Sequence, residues 1–139
     1  MKQFVPKFAL VSMTLVVLSG CLAMTPRAEP PPVMTAQEIA QQAAERALGD
    51  AIALYEKGHY QHAENKLLSD EVWQGSSETR QSALKHLAFI YCITDRAQMC
   101  RHAFERAMHI NPYFVLSTAE ATHPLWGPQY QLALKGKRD

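Results

Sequence analysis

The sequence predicts an all-α fold of antiparallel helical hairpins, about two repeats followed by a C-terminal capping helix. Three observations carry that expectation. Apolar residues after Thr35 recur at helical spacing, a pattern of glycine or turn, small and large residues occurs twice between Gly58 and Pro112, and 139 residues with 47% hydrophobic content hold one compact domain.

The elements are best taken from the N-terminus. Lys2 and Lys7 precede an apolar run from Phe8 to Leu18, broken only by Ser12 and Thr14. That run is too short for a hydrocarbon core that needs about 20 residues, but it suits the apolar region of an export signal. Leu18-Ser19-Gly20-Cys21 follows, and it resembles the lipobox of bacterial lipoproteins. The resemblance implies cleavage before Cys21, which would carry diacylglycerol and an N-acyl group as the only covalent additions. Leu22, with no aspartate after the cysteine, points to the periplasmic face of the outer membrane. Residues 1–20 are thus expected to be a lipoprotein signal peptide.

Their removal takes Lys2 and Lys7 away, so 14 basic residues become 12 against 13 acidic ones, a net of −1. Nucleic-acid binding needs a cationic field that this chain lacks. Residues 21–35 hold the lipidated cysteine and four of the eight prolines, Pro26, Pro30, Pro31 and Pro32. Such a segment favours extended polyproline geometry at about 3.1 Å per residue and reads as a tether.

The folded domain is expected over residues 36–136. Thr35-Ala36-Gln37-Glu38 fits a capping box. Ile39, Ala43, Ala47, Ala51, Leu54 and Tyr55 then mark one face of a helix that runs to about Lys57. Gly49, which costs roughly 1 kcal/mol relative to alanine inside a helix, suggests a close helix contact or a boundary between two shorter helices.

Gly58-His59-Tyr60-Gln61-His62-Ala63, with Leu67 one turn on, matches the middle of a tetratricopeptide repeat, a 34-residue pair of antiparallel helices. A second copy follows in order: Leu84, Leu87, Ala88 and Tyr91 on one helix, a break at Thr94-Asp95, then Cys100, Phe104, Ala107 and Pro112. The surplus over the usual period falls in the polar segment from Ser69 to Thr79, expected to be a linker. Ala63 and Ala107 should lie where hairpin helices approach most closely. Beyond Pro112, Ser117-Thr118-Ala119-Glu120 is a further capping box, and Pro128 opens a last short helix. Trp126, Tyr130 and Leu134 are suited to cover the open end of the array; the competing reading makes Trp126 a partner contact.

Lipobox, proline tether, Gly-x-Tyr-x-x-Ala, Ala83-Leu84-Lys85-His86-Leu87-Ala88-Phe89-Ile90-Tyr91-Cys92, Cys100 and Phe104, Asn111-Pro112 and His123-Pro124-x-Trp126-Gly127-Pro128 together resemble the TssQ family of lipoproteins associated with bacterial type VI secretion. The resemblance spans residues 18–134. It implies an accessory, non-enzymatic protein beside a secretion apparatus, with a periplasmic protein as partner.

With Cys21 acylated, Cys92 and Cys100 remain in an oxidising compartment and flank the turn of the second hairpin. A bridge there would contribute about 2.5 kcal/mol in the chain-entropy model; two free thiols are the alternative. The six histidines lack companions at recognised ligand spacings, so no metal is expected. No hydrolase signature or phosphate loop occurs, and neither an enzyme activity nor a small-molecule substrate is expected. If the protein binds a partner, the repeat register turns Leu48, Ile52 and Tyr55 from the first hairpin, and Ser82, Lys85 and Phe89 from the second, toward the concave groove of such arrays. Core burial is the alternative for Phe89, and Lys85 is expected exposed. Two functions stay open: an outer-membrane-anchored adaptor of type VI secretion, and a tetratricopeptide lipoprotein that scaffolds peptidoglycan enzymes or pilus assembly.

Overall fold

The computed structural model describes residues 33–137. The lipobox, Cys21 and most of the tether lie outside the described residues. Within them every regular element is helical: α1 (Ala36–Glu56), α2 (Tyr60–Leu67), α3 (Asp70–Trp73), α4 (Ser77–Ile93), α5 (Ala97–Ile110), α6 (Thr118–Ala121) and α7 (Gly127–Gly136). α1 packs on α2 and α4 on α5, which makes two hairpins, and α7 closes against α5.

α1 begins at the expected capping box. The Thr35 amide donates to the Glu38 carboxylate at 2.7 Å, and the Glu38 amide donates to Thr35 Oγ1 at 3.2 Å. The helix then runs unbroken through Gly49, which is exposed and has nothing within 4 Å of where a Cβ would stand. Gly49 is therefore neither a close contact nor a boundary. The buried strip of α1 is Ala44, Ala47 and Ala51, whose small side chains let α2 and α4 come close. Ile39 was expected on that strip, yet it is 53% exposed: the first turns of α1 face the Gln74–Ser76 segment through Gln37, Ala40 and Gln41 instead.

Both hairpins turn in the same way. Gly58 and Asp95 sit at φ 77° and 58°, in the left-handed region where glycine is free and aspartate is among the better tolerated side chains. The next amides reach five residues back, His59 N–H to the Leu54 carbonyl at 2.9 Å and Arg96 N–H to the Tyr91 carbonyl at 2.8 Å. This closes each first helix with a Schellman-type bond. At the same spacing, Ala51 matches Ala88, Ala63 matches Cys100 and Leu67 matches Phe104, and all six are buried. Ala107 is fully buried as well.

The segment Ser69–Thr79 is more than a linker. It contains α3, in which Val72 is fully buried, and Trp73 Nε1 donates to the Leu67 carbonyl at 3.0 Å. Apolar Val72 and Trp73 fill the space that the polar residues around them leave between α1 and α4. Gly75 lies where a Cβ would come within 2.8 Å of Ala44 Cβ and of Thr79 Cγ2. Gln41 ties this region to α1, accepting from the Ser76 amide at 2.6 Å and donating to Thr79 Oγ1 at 3.2 Å. Between the hairpins, Glu64 of α2 accepts two hydrogen bonds from the Arg96 guanidinium, at 2.8 and 2.6 Å, a paired geometry that fixes direction as well as distance.

After Asn111 the chain turns at Pro112–Tyr113, where the Phe114 amide donates to the Asn111 carbonyl at 2.9 Å, then buries Phe114 and Leu116 and enters α6 through the second capping box at Ser117 and Glu120. Trp126 and Tyr130 are buried and Leu134 packs against the core, so the C-terminal segment covers the second hairpin through Phe89 and Phe104.

Candidate partner-binding face

The first helices of the two hairpins, α1 and α4, carry the six residues expected to line a groove. Leu48, Ile52 and Tyr55 on α1 are partly buried, and Leu48 and Tyr55 pack against the core. On α4, Ser82 and Lys85 are partly buried. Phe89, by contrast, is only 4% exposed and belongs to the core. Its ring stacks on Trp126, with centroids 4.3 Å apart, and meets Phe104 edge-on at 6.1 Å. The C-terminal segment covers this face of the second hairpin, and Phe89 with it.

The same cap changes the position of Lys85. Its Nζ pairs with Glu120 of α6 at 2.8 Å and lies 5.7 Å above the Phe89 ring. Lys85 is therefore half-sequestered in an ion pair and not a free groove cation. Burial raises the Glu120 carboxyl, but hydrogen bonds from Lys85 and from Ser117 outweigh it and hold the group below its ordinary value.

Four of the six residues consequently divide between two places. Tyr55 approaches Phe89 at 6.4 Å, His86 at 5.8 Å and Tyr60 at 5.9 Å, a run of rings across the α1–α4 seam. Ser82 and Lys85 instead line a recess of about 320 Å³ with Asn111, Tyr113, Phe114 and Val115, where Tyr113 and Val115 are 87% and 74% exposed. The chain as a whole gives no match to protein-family models, to curated proteins or to solved structures.

His86 and Tyr60 belong to the aromatic seam although the groove register omitted them. His86 Nδ1–H donates to the Ser82 carbonyl at 2.8 Å; burial, above all, lowers its pKa and favours the neutral ring. The Tyr55 phenol is pushed up by burial, with smaller contributions from Tyr60 and Glu120. A neutral imidazole and two phenols, backed by buried Phe89, can take an apolar or aromatic side chain and offer it hydrogen bonds. One sign of His86 was in the sequence: it lies four residues after Ser82, one helical turn along the same face.

The cysteine pair is brought together. Cys92 and Cys100 join as a disulfide across the second turn with Cα atoms 5.3 Å apart, inside the usual range, and both are buried. His59 and His62 face each other at 6.3 Å, and His102 pairs with Glu105 at 2.8 Å. Among the described residues no group of three or more His, Cys, Asp or Glu is placed to hold a metal ion, and no helix is long and apolar enough to cross a membrane.

Proposed function

We propose that the protein is a lipid-anchored adaptor of the bacterial envelope, held by acylated Cys21 at the periplasmic face of the outer membrane and accessory to type VI secretion. The observation that carries this reading is the pair of hairpins with equivalent turns at Gly58 and Asp95, which supports a tetratricopeptide-type array, a scaffold suited to holding protein segments. The lipobox at Leu18-Ser19-Gly20-Cys21 and the prolines before Val33 support the anchor and tether. The resemblance of residues 18–134 to the TssQ family supports the secretion setting. The Tyr55–His86–Tyr60 seam is the favoured contact surface because it offers aromatic area and hydrogen-bonding groups that remain partly open.

Crosslinking in envelopes, followed by capture of the acylated protein, tests the proposal. Enrichment of type VI secretion components, lost in Cys21→Ser, is the expected result. Enrichment of cell-wall synthases or pilus-assembly proteins instead transfers the protein to the alternative scaffold reading. Unaltered processing of the wild type under globomycin, with recovery in the soluble fraction after osmotic shock, overturns the anchor.

A further inference from the structure

A second cleft lies on another strip of α4 from the one that carries Ser82, Lys85 and Phe89. Arg80 and Leu84 occupy this strip, and the cleft, about 800 Å³, is walled by Trp73 of α3 and by His102, Arg106 and His109 of α5. Leu84 is buried beneath it, and the partly exposed apolar surface of the cleft comes from Trp73 and Ile110. A smaller recess continues it past Leu87 to Tyr91 and Met99, sharing Leu84, His102 and Arg106.

The charge of this cleft is one-sided. Arg80 and Arg106 form no ion pair with a carboxylate among the described residues, and Arg80 Nε is without a hydrogen-bond partner there. Arg106 is instead held over the Trp73 ring at 5.1 Å, which fixes the guanidinium at the rim. The carboxylate in the lining, Glu105, is engaged by Arg101 at 3.3 Å and by His102 at 2.8 Å. Two permanent cations and two histidines thus border an apolar floor in a chain whose mature net charge is −1. Local charge against the sign of the whole molecule is a selective feature, because it attracts an anionic partner only at this place.

We propose that this cleft binds an acidic peptide segment of a partner protein, with carboxylates on Arg80 and Arg106 and an apolar side chain against Trp73 and Ile110. The volume and the elongated lining suit several residues of chain better than a lone phosphate. The occupant is distinct from whatever meets the Tyr55 seam, so the protein would hold two segments at once.

The test uses the full-length protein in dodecyl maltoside and a fluorescein-labelled peptide of alternating acidic residues and leucine, with a lysine–leucine peptide as its counterpart. The acidic peptide should bind saturably, and Arg80→Gln/Arg106→Gln should weaken it about tenfold or more, as loss of paired charges at a desolvated contact does. Arg46→Gln/Lys57→Gln, which removes the same charge from exposed positions, should not. Raising salt from about 50 to about 300 mM should weaken binding. Arg106 is exposed, so Arg106→Glu should fold and shift preference toward the lysine peptide. The proposal is overturned by equal affinity in wild type and Arg80→Gln/Arg106→Gln, by absence of saturable peptide binding, or by binding confined to phosphatidylglycerol vesicles or inorganic phosphate.

Discussion

Phe89 of α4 and Trp126, 37 positions later, stack with ring centroids 4.3 Å apart and planes inclined by 29°. Trp126 is 8% exposed, and its Nε1 donates to the Glu120 carbonyl at 2.8 Å. One side chain thus covers the face of the last hairpin and fixes α6 in place. Trp126→Ala should cost about 3 to 5 kcal/mol, the range for deleting a buried large aromatic ring. Thermal denaturation followed by circular dichroism measures this. An unchanged melting temperature would mean that Trp126 is a free contact for a partner.

The Lys85–Glu120 pair and His86 make stability depend on pH. Glu120 is held below its ordinary value, so its contribution is present above about pH 4.5 and is lost as pH falls through the folded-state value. His86 is also depressed, and for a base this means the unfolded chain takes up the proton first; stability is complete above about 6.5 and declines below it. The two effects have the same sign, and acidification should lower the melting temperature, beginning below pH 6.5. His86→Phe should delay the onset toward the carboxylate range. Lys85→Met should cost about 0.5 to 1 kcal/mol, as a partly exposed pair does, and Lys85→Glu more, since it sets like charges together. A melting temperature independent of pH between 7 and 5 in the wild type would contradict the placement of His86.

The contrast between local and distant features explains what the sequence made legible. Capping boxes at Thr35 and Ser117 and the turns at Gly58 and Asp95 depend on residues within one or two helical turns, and each could be read directly. The burial of Phe89 and the pairing of Lys85 depend on a C-terminal segment about 35 residues away folding back, so repeat register alone left Phe89 between core and groove and placed Lys85 on an open groove. The cationic cleft escaped notice for a similar reason: Trp73, Arg80 and Arg106 come from three helices, one of them, α3, hidden in a segment whose polarity suggested a linker.

Cys92 and Cys100 should give no free thiol in the folded or denatured, unreduced full-length protein by Ellman assay. Reduction should then lower stability by about 2.5 kcal/mol, the chain-entropy value for so short a loop. Two titratable thiols in denatured, unreduced protein from the periplasm would reject the bridge.

The two helix-neighbouring glycines should respond in opposite directions. Gly49→Ala meets nothing within 4 Å and should stabilise the domain by up to about 1 kcal/mol through helix propensity. Gly75→Ala would drive its methyl to 2.8 Å from the Ala44 and Thr79 side chains and should destabilise by about 1 to 3 kcal/mol, as overpacking does. Chemical denaturation midpoints of the two variants decide this, and equal midpoints would contradict the close approach of the Gly75 segment to α1.

The adaptor reading is tested most directly by a photo-crosslinking residue at position 55, in the aromatic seam, compared with one at position 42 on the exposed side of α1, both in living cells that express the acylated protein. The account predicts a discrete adduct with a type VI secretion component from position 55, absent from position 42 and abolished by Cys21→Ser. Adducts of equal yield at both positions, or none that depends on Cys21, would contradict it.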